Sequence, residues 1–192
     1  MRNEETSAPC RSPTSRSEAL LRYVSDVFRL RELRRRFGYL WLSQHTDGGF
    51  FNAVSYLDQP LKYFLRNLSK SGALNDTALV LLSSHGKATH DSVFNPGVRS
   101  TGAPFCFLVL PEKFLRRHPD VAVALEVNQR RLVTPFDLHA TLLALATLPT
   151  LRFESTGKGS TLLKAISPHR SCGTPFCRQT CAVVWNRNLK LW

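Results

Sequence analysis

The chain has 192 residues, 43% of them hydrophobic, with 26 Lys and Arg against 14 Asp and Glu and a formal charge of +12. That length and apolar content fit one globular domain, or part of a larger one, and exclude disordered and fibrous classes. No apolar run approaches the ~20 residues of a bilayer span, and a charge of this sign admits nucleic acid, anionic membrane or heparin-like polyanions as partners on electrostatics alone.

Residues 1–16 read as a polar leader, without the apolar stretch of a signal peptide. Ser17 then reads as the N-cap of a helix whose Leu20, Leu21, Val24, Val27, Phe28 and Leu33 follow a 3.6-residue period. Arg29, Arg31, Arg34, Arg35 and Arg36 crowd its end and make a candidate polyanion-binding patch. A solvated basic face is the simpler reading, because no stacking aromatics are interleaved as in a single-strand binder, and there is no specific nucleic-acid signal.

Phe37 to Leu42 is a compact apolar and aromatic run and reads as a buried strand, delivering His45-Thr46-Asp47-Gly48-Gly49 at its end. A second helix is expected from about Val54 to Ser69, with Pro60 a point of kinking or restart and Gly72 ending it in left-handed geometry. Thr77 to Leu82 reads as the next strand and ends at Ser83-Ser84-His85-Gly86, with His90 and Asp91 beyond. Strand, helix, strand is a right-handed parallel βαβ unit, opening both loops on one sheet edge. Phe105 to Leu110 reads as a third strand and Thr134-Pro135 as the start of another helix. The expected architecture is an open, mostly parallel α/β sheet with helices on both faces and function at the carboxyl ends of its strands. The working domain spans residues 17–166, followed by a cysteine-rich tail over 167–192.

Two histidine and aspartate clusters at one edge, His45/Asp47 and His85/His90/Asp91, have the donor chemistry of a divalent metal hydrolase. Spacing alone is a weak signal, since polar residues at strand ends are ordinary loop chemistry. His139 on an apolar helix face reads as a packed or capping histidine, and His118 and His169 beside prolines as surface residues. Cys106 inside a strand reads as a buried, inert thiol, and Asp137 as a first-turn acid favoured by the helix dipole. Cys172, Cys177 and Cys181 lack the paired spacing of a zinc finger and favour disulfides, hence an oxidising compartment and an export signal missing from the chain. Asn67-Leu68-Ser69 and Asn75-Asp76-Thr77 match the glycosylation sequon.

Taken in order, Trp41-Leu42-Ser43, His45-Thr46-Asp47, Ser83-Ser84-His85-Gly86, Phe105 to Pro111, Asn128, the run Arg131 to His139 and Arg170-Ser171-Cys172 resemble the C-terminal half of sulfatase-like ectodomain proteins. These are a poorly characterised animal family of the alkaline phosphatase/sulfatase superfamily, and the similarity runs from about Cys10 to Cys181. The resemblance implies a partial alkaline-phosphatase-like sheet, an extracellular or membrane-associated setting, and metal-assisted hydrolysis of phosphate or sulfate esters with zinc, manganese or calcium. It implies His85 and Asp47 as remaining metal ligands, with His45 a substitute ligand if the register slips by one. Ser84 stands where the superfamily has a metal-binding aspartate, and nothing in residues 1–36 resembles its nucleophile, so the expectation is a fragment or degenerate copy without catalysis. Metal should then bind weakly or not at all. The competing expectation is an extracellular binding module for sulfated polysaccharide or another polyanion through Arg31, Arg34, Arg35 and Arg36.

Overall fold

A computed structural model describes residues 15–30, 35–42, 55–83, 104–153, 159–171 and 184–185. They fall into two compact units that divide between Asp76 and Thr77. The described elements are mixed α and β, with five α-helices and one small sheet.

In the first unit, helix α1 spans Arg16–Arg29 and α2 spans Ser55–Lys70. The cap of α1 is Ser15 rather than Ser17: the Ser15 Oγ accepts from the Glu18 N–H at 3.1 Å, and Ser17 is buried in the first turn. Both residues suit a cap, and the reach of a hydroxyl to a donor three residues on selects the first. Helix α2 continues through Pro60, and Gly72 takes the expected left-handed conformation just beyond it. Leu21 of α1 meets Phe64 and Leu68 of α2 in the buried centre, joined by Leu40 and Leu42.

Residues 36–42 do not form the expected strand. Among the described residues no backbone hydrogen bond joins them to a neighbouring segment, and a strand without a ladder partner is only extended chain.

The second unit holds the sheet. Strand β1 (Leu79–Leu82) pairs antiparallel with β2 (Phe105–Val109), Leu79 opposite Val109 and Leu82 opposite Cys106. A two-residue β3 (Val184–Trp185) adds a short parallel rung to β2. The expected open, mostly parallel sheet is thus corrected to a small mixed one, in which β1 and β2 return on each other antiparallel. Helices α3 (Glu112–Arg117), α4 (Pro119–Asn128) and α5 (Pro135–Ala146) follow. Their core gathers Leu110, Val121, Ala144 and Leu163 beside Leu108 of β2, while Val133, Leu162 and Ile166 form a second buried cluster.

Candidate functional site

The carboxyl end of β1 is fixed by Ser83, whose N–H donates to the Phe105 carbonyl and whose Oγ accepts from the Phe105 N–H, each at 3.0 Å. One serine thus replaces a full ladder rung where β1 stops. Ser84, His85, His90 and Asp91 follow this rung in the sequence, before β2. Those four residues lie outside the described ones, as do His45 and Asp47. Among the described residues no group of three or more His, Cys, Asp and Glu is placed to hold a metal ion.

The arginine patch divides. Arg31 and Arg34 lie outside the described residues, and Arg35 is exposed. The Arg36 guanidinium turns inward, donating to the Val27 carbonyl and lying over the Phe28 ring at 5.4 Å from its centroid. It is occupied in pinning the chain to the end of α1, and the Val27 carbonyl it caps belongs to the last turn, where cations complement the helix dipole.

Cys172, Cys177 and Cys181 also lie outside the described residues. Cys106 is a free buried thiol, and desolvation pushes it up to about 11 from 9.0, as an inert core cysteine should be. His139 is exposed on α5 rather than packed, since the apolar face of that helix turns Ala140 and Ala144 to the core instead. His169 is exposed, while His118 is half-buried with its ring 4.7 Å from Phe114. Asn67 and Asn75 are both exposed.

The best-built polar cluster surrounds Asp137. It has no solvent exposure, and its Oδ2 accepts from the Thr134 N–H at 2.7 Å, the Thr134 hydroxyl at 2.8 Å and Arg170 Nη1 at 2.7 Å. Its Oδ1 accepts from the Ser160 N–H at 2.7 Å and Arg170 Nη2 at 3.0 Å. The first-turn role read from the sequence is present, but the carboxylate also receives a bidentate guanidinium from 33 residues along the chain. Every lone pair is filled, so the cluster is a clamp and offers no open position to a ligand.

Asn128, fully buried, does similar work without charge. Its amide donates to the Leu162 and Lys164 carbonyls at 2.9 and 2.8 Å and accepts from the Ile166 N–H at 2.8 Å. Thr141 Oγ1 accepts from the Leu162 N–H at 2.8 Å. The Thr134-Pro135-Phe136-Asp137 run signals a helix start with an acid at its third position; nothing local signals which distant segment those groups will hold.

A family model described as a protein of unknown function, DUF229, matches residues 1–182, nearly the whole chain. No curated protein and no solved structure matches it.

Proposed function

We propose, from the premise that the chain belongs to the DUF229 family, that it is a catalytically silent, sulfatase- and phosphatase-like module working outside the cell. The ordered motifs from Trp41 to Cys172 support this reading. The observation that carries it is the end of β1, where the Ser83–Phe105 rung closes the strand immediately before Ser84-His85-Gly86. In the superfamily a metal-binding aspartate would stand at the first of these positions. Ser84 supplies a neutral hydroxyl instead of a carboxylate, and hard dications held by oxygen and imidazole donors need that charge. With Ser84 in place of an aspartate, the residue types at the end of β1 do not fit a catalytic dication, and no hydrolytic step is assigned to them.

The test compares metal content and aryl phosphate and sulfate hydrolysis of the wild-type chain with Ser84→Asp. Wild type is expected to hold no stoichiometric zinc, manganese or calcium and to turn over neither ester, while Ser84→Asp gains metal without turnover. Wild-type turnover of either ester would sink the proposal.

A second reading, binding of a sulfated polysaccharide or another polyanion, is supported by the exposure of Arg35 on a chain of charge +12. It expects retention on heparin that weakens with salt and survives His85→Ala.

A further inference from the structure

Residues 35–42 alternate with a period of two. Leu40 and Leu42 join the α1/α2 core, and Arg36 lies over Phe28. Gly38 is itself exposed, but a Cβ on it would point toward the same Phe28 ring, 2.9 Å away, so its side-chain direction is the inward one. Arg35, Phe37, Tyr39 and Trp41 therefore share the outward face, with Phe37 84%, Tyr39 73% and Trp41 59% exposed. The Tyr39 and Trp41 ring centroids are 6.4 Å apart at a tilt of 33°, close to the ~6.6 Å that two residues of extended chain span. The result is an outward row of three exposed aromatic side chains headed by Arg35, with Tyr39 and Trp41 in ring contact, which corrects the reading that no aromatics accompany the arginines. A contiguous exposed patch of this kind marks a contact surface.

We infer that the row Arg35, Phe37, Tyr39 and Trp41 is a platform for a sulfated polysaccharide. The inference rests on the polyanion reading above and gives it a contact surface. Aromatic faces carry negative π charge, which attracts the electropositive C–H faces of sugar rings. A guanidinium fork matches the oxygens of a sulfate group. The charge of +12 supplies the long-range attraction.

Single-stranded nucleic acid also stacks on aromatic rings, but it brings a phosphate with every base and is bound in a positively charged groove that follows its backbone. This row sets one guanidinium against three rings, which suits a polysaccharide with sulfate on no more than every second sugar. Arg36, which the sequence alone counts with the binding patch, instead anchors the row from behind through Val27 and Phe28.

The experiment titrates the full chain with chondroitin sulfate, with hyaluronan as an unsulfated polysaccharide, and with oligo-dT. Chondroitin sulfate is expected to bind more tightly than either. Tyr39→Ala and Trp41→Ala should each weaken it by about tenfold, whereas Trp41→Phe, which keeps a ring, should retain affinity within about threefold. Unchanged far-UV melts are expected, because both side chains are exposed; should an alanine variant melt early, Trp41→Phe against Trp41→Ser decides. Binding that ignores ring removal but is lost with Arg35→Ala would overturn the platform and leave the polyanion reading standing. Absence of binding to every probe would overturn both. Oligo-dT bound as tightly and lost with the same rings would overturn the polysaccharide assignment in favour of single-stranded nucleic acid.

Discussion

Asp137 shows how a carboxyl group fully removed from solvent is satisfied by the chain itself. Five donors converge on its two oxygens, two of them from Arg170. Arg170 keeps 23% of its side chain exposed while Asp137 keeps none, so the guanidinium retains part of its hydration and the carboxylate depends wholly on the clamp. Removing Arg170 with an alanine should therefore cost about 3–5 kcal/mol, since it leaves an uncompensated buried charge. Asp137→Asn should cost a comparable amount, and the double variant less than the sum of the singles, because each single already destroys the pair. Urea denaturation of the three variants checks this, read from midpoints at constant slope. Additive losses would mean that the two side chains do not act as a unit. Cys106 gives a second prediction at this scale. Its thiol is held up at about 11 in the folded chain against 9.0 unfolded, so only the unfolded chain releases that proton between these values. Stability contributed by the neutral thiol is fully present below pH 9 and declines as pH rises toward 11, by up to about 2–3 kcal/mol. Cys106→Ala should flatten that part of the pH profile, and native Cys106 should resist a maleimide at pH 8 until the chain is unfolded.

At the scale of elements, the segment 159–171 has neither helix nor ladder, and it is ordered by side chains of α4 and α5. Asn128 supplies three hydrogen bonds to it, and Thr141 and Asp137 supply one each to its backbone. Asn128→Ala leaves two carbonyls and one N–H unsatisfied in the interior, at a cost of about 3 kcal/mol. Hydrogen exchange at the Leu162 and Ile166 amides should accelerate more than exchange within α5. Gly159 permits the segment to approach: a Cβ there would come 2.1 Å from the Phe136 carbonyl oxygen. Gly159→Ala should thus push the chain off the first turn of α5, lower the melting temperature and weaken the neighbouring Ser160–Asp137 bond. An alanine variant that melts like wild type would refute that packing. The start of α5 was legible because Thr134, Pro135 and Asp137 act locally, and β1 and β2 were legible as apolar runs. Helices α3 and α4 were not: Pro111 and Pro119 stand at their openings, where a proline is compatible with a helix start but does not announce one. The run from Phe37 to Leu42 misled for the opposite reason. Aromatic content suggested a buried strand, whereas only Leu40 and Leu42 turn to the core, partly buried, and the aromatic side chains stay exposed. Of the candidate metal site, the sequence gives the strand that ends at Leu82 and the residue types beyond it; their arrangement lies outside the described residues.

For the whole molecule, charge and exposed aromatic surface oppose each other. A surplus of 12 positive charges keeps copies apart at neutral pH, while Phe37, Tyr39 and Trp41 offer a contiguous face that gains by contact with another apolar surface. The repulsion acts over about 10 Å at 0.1 M salt and about 3 Å at 1 M, so salt removes it without touching the rings. Light scattering should therefore report monodisperse chain at low salt and neutral pH, with association rising toward 1 M sodium chloride. The same should follow as pH approaches the isoelectric point near 10.1, where the net charge vanishes. If the aromatic row is the adhesive face, replacing Phe37, Tyr39 and Trp41 by serine suppresses association under both conditions, whereas Tyr63→Ser on the exposed side of α2 leaves it unchanged. Association that persists in the triple variant would place the contact elsewhere. A polyanion that neutralises the charge while covering the row should then produce the opposite response to salt, holding the chain dispersed where bare neutralisation precipitates it. That contrast separates occupation of the row from simple loss of charge.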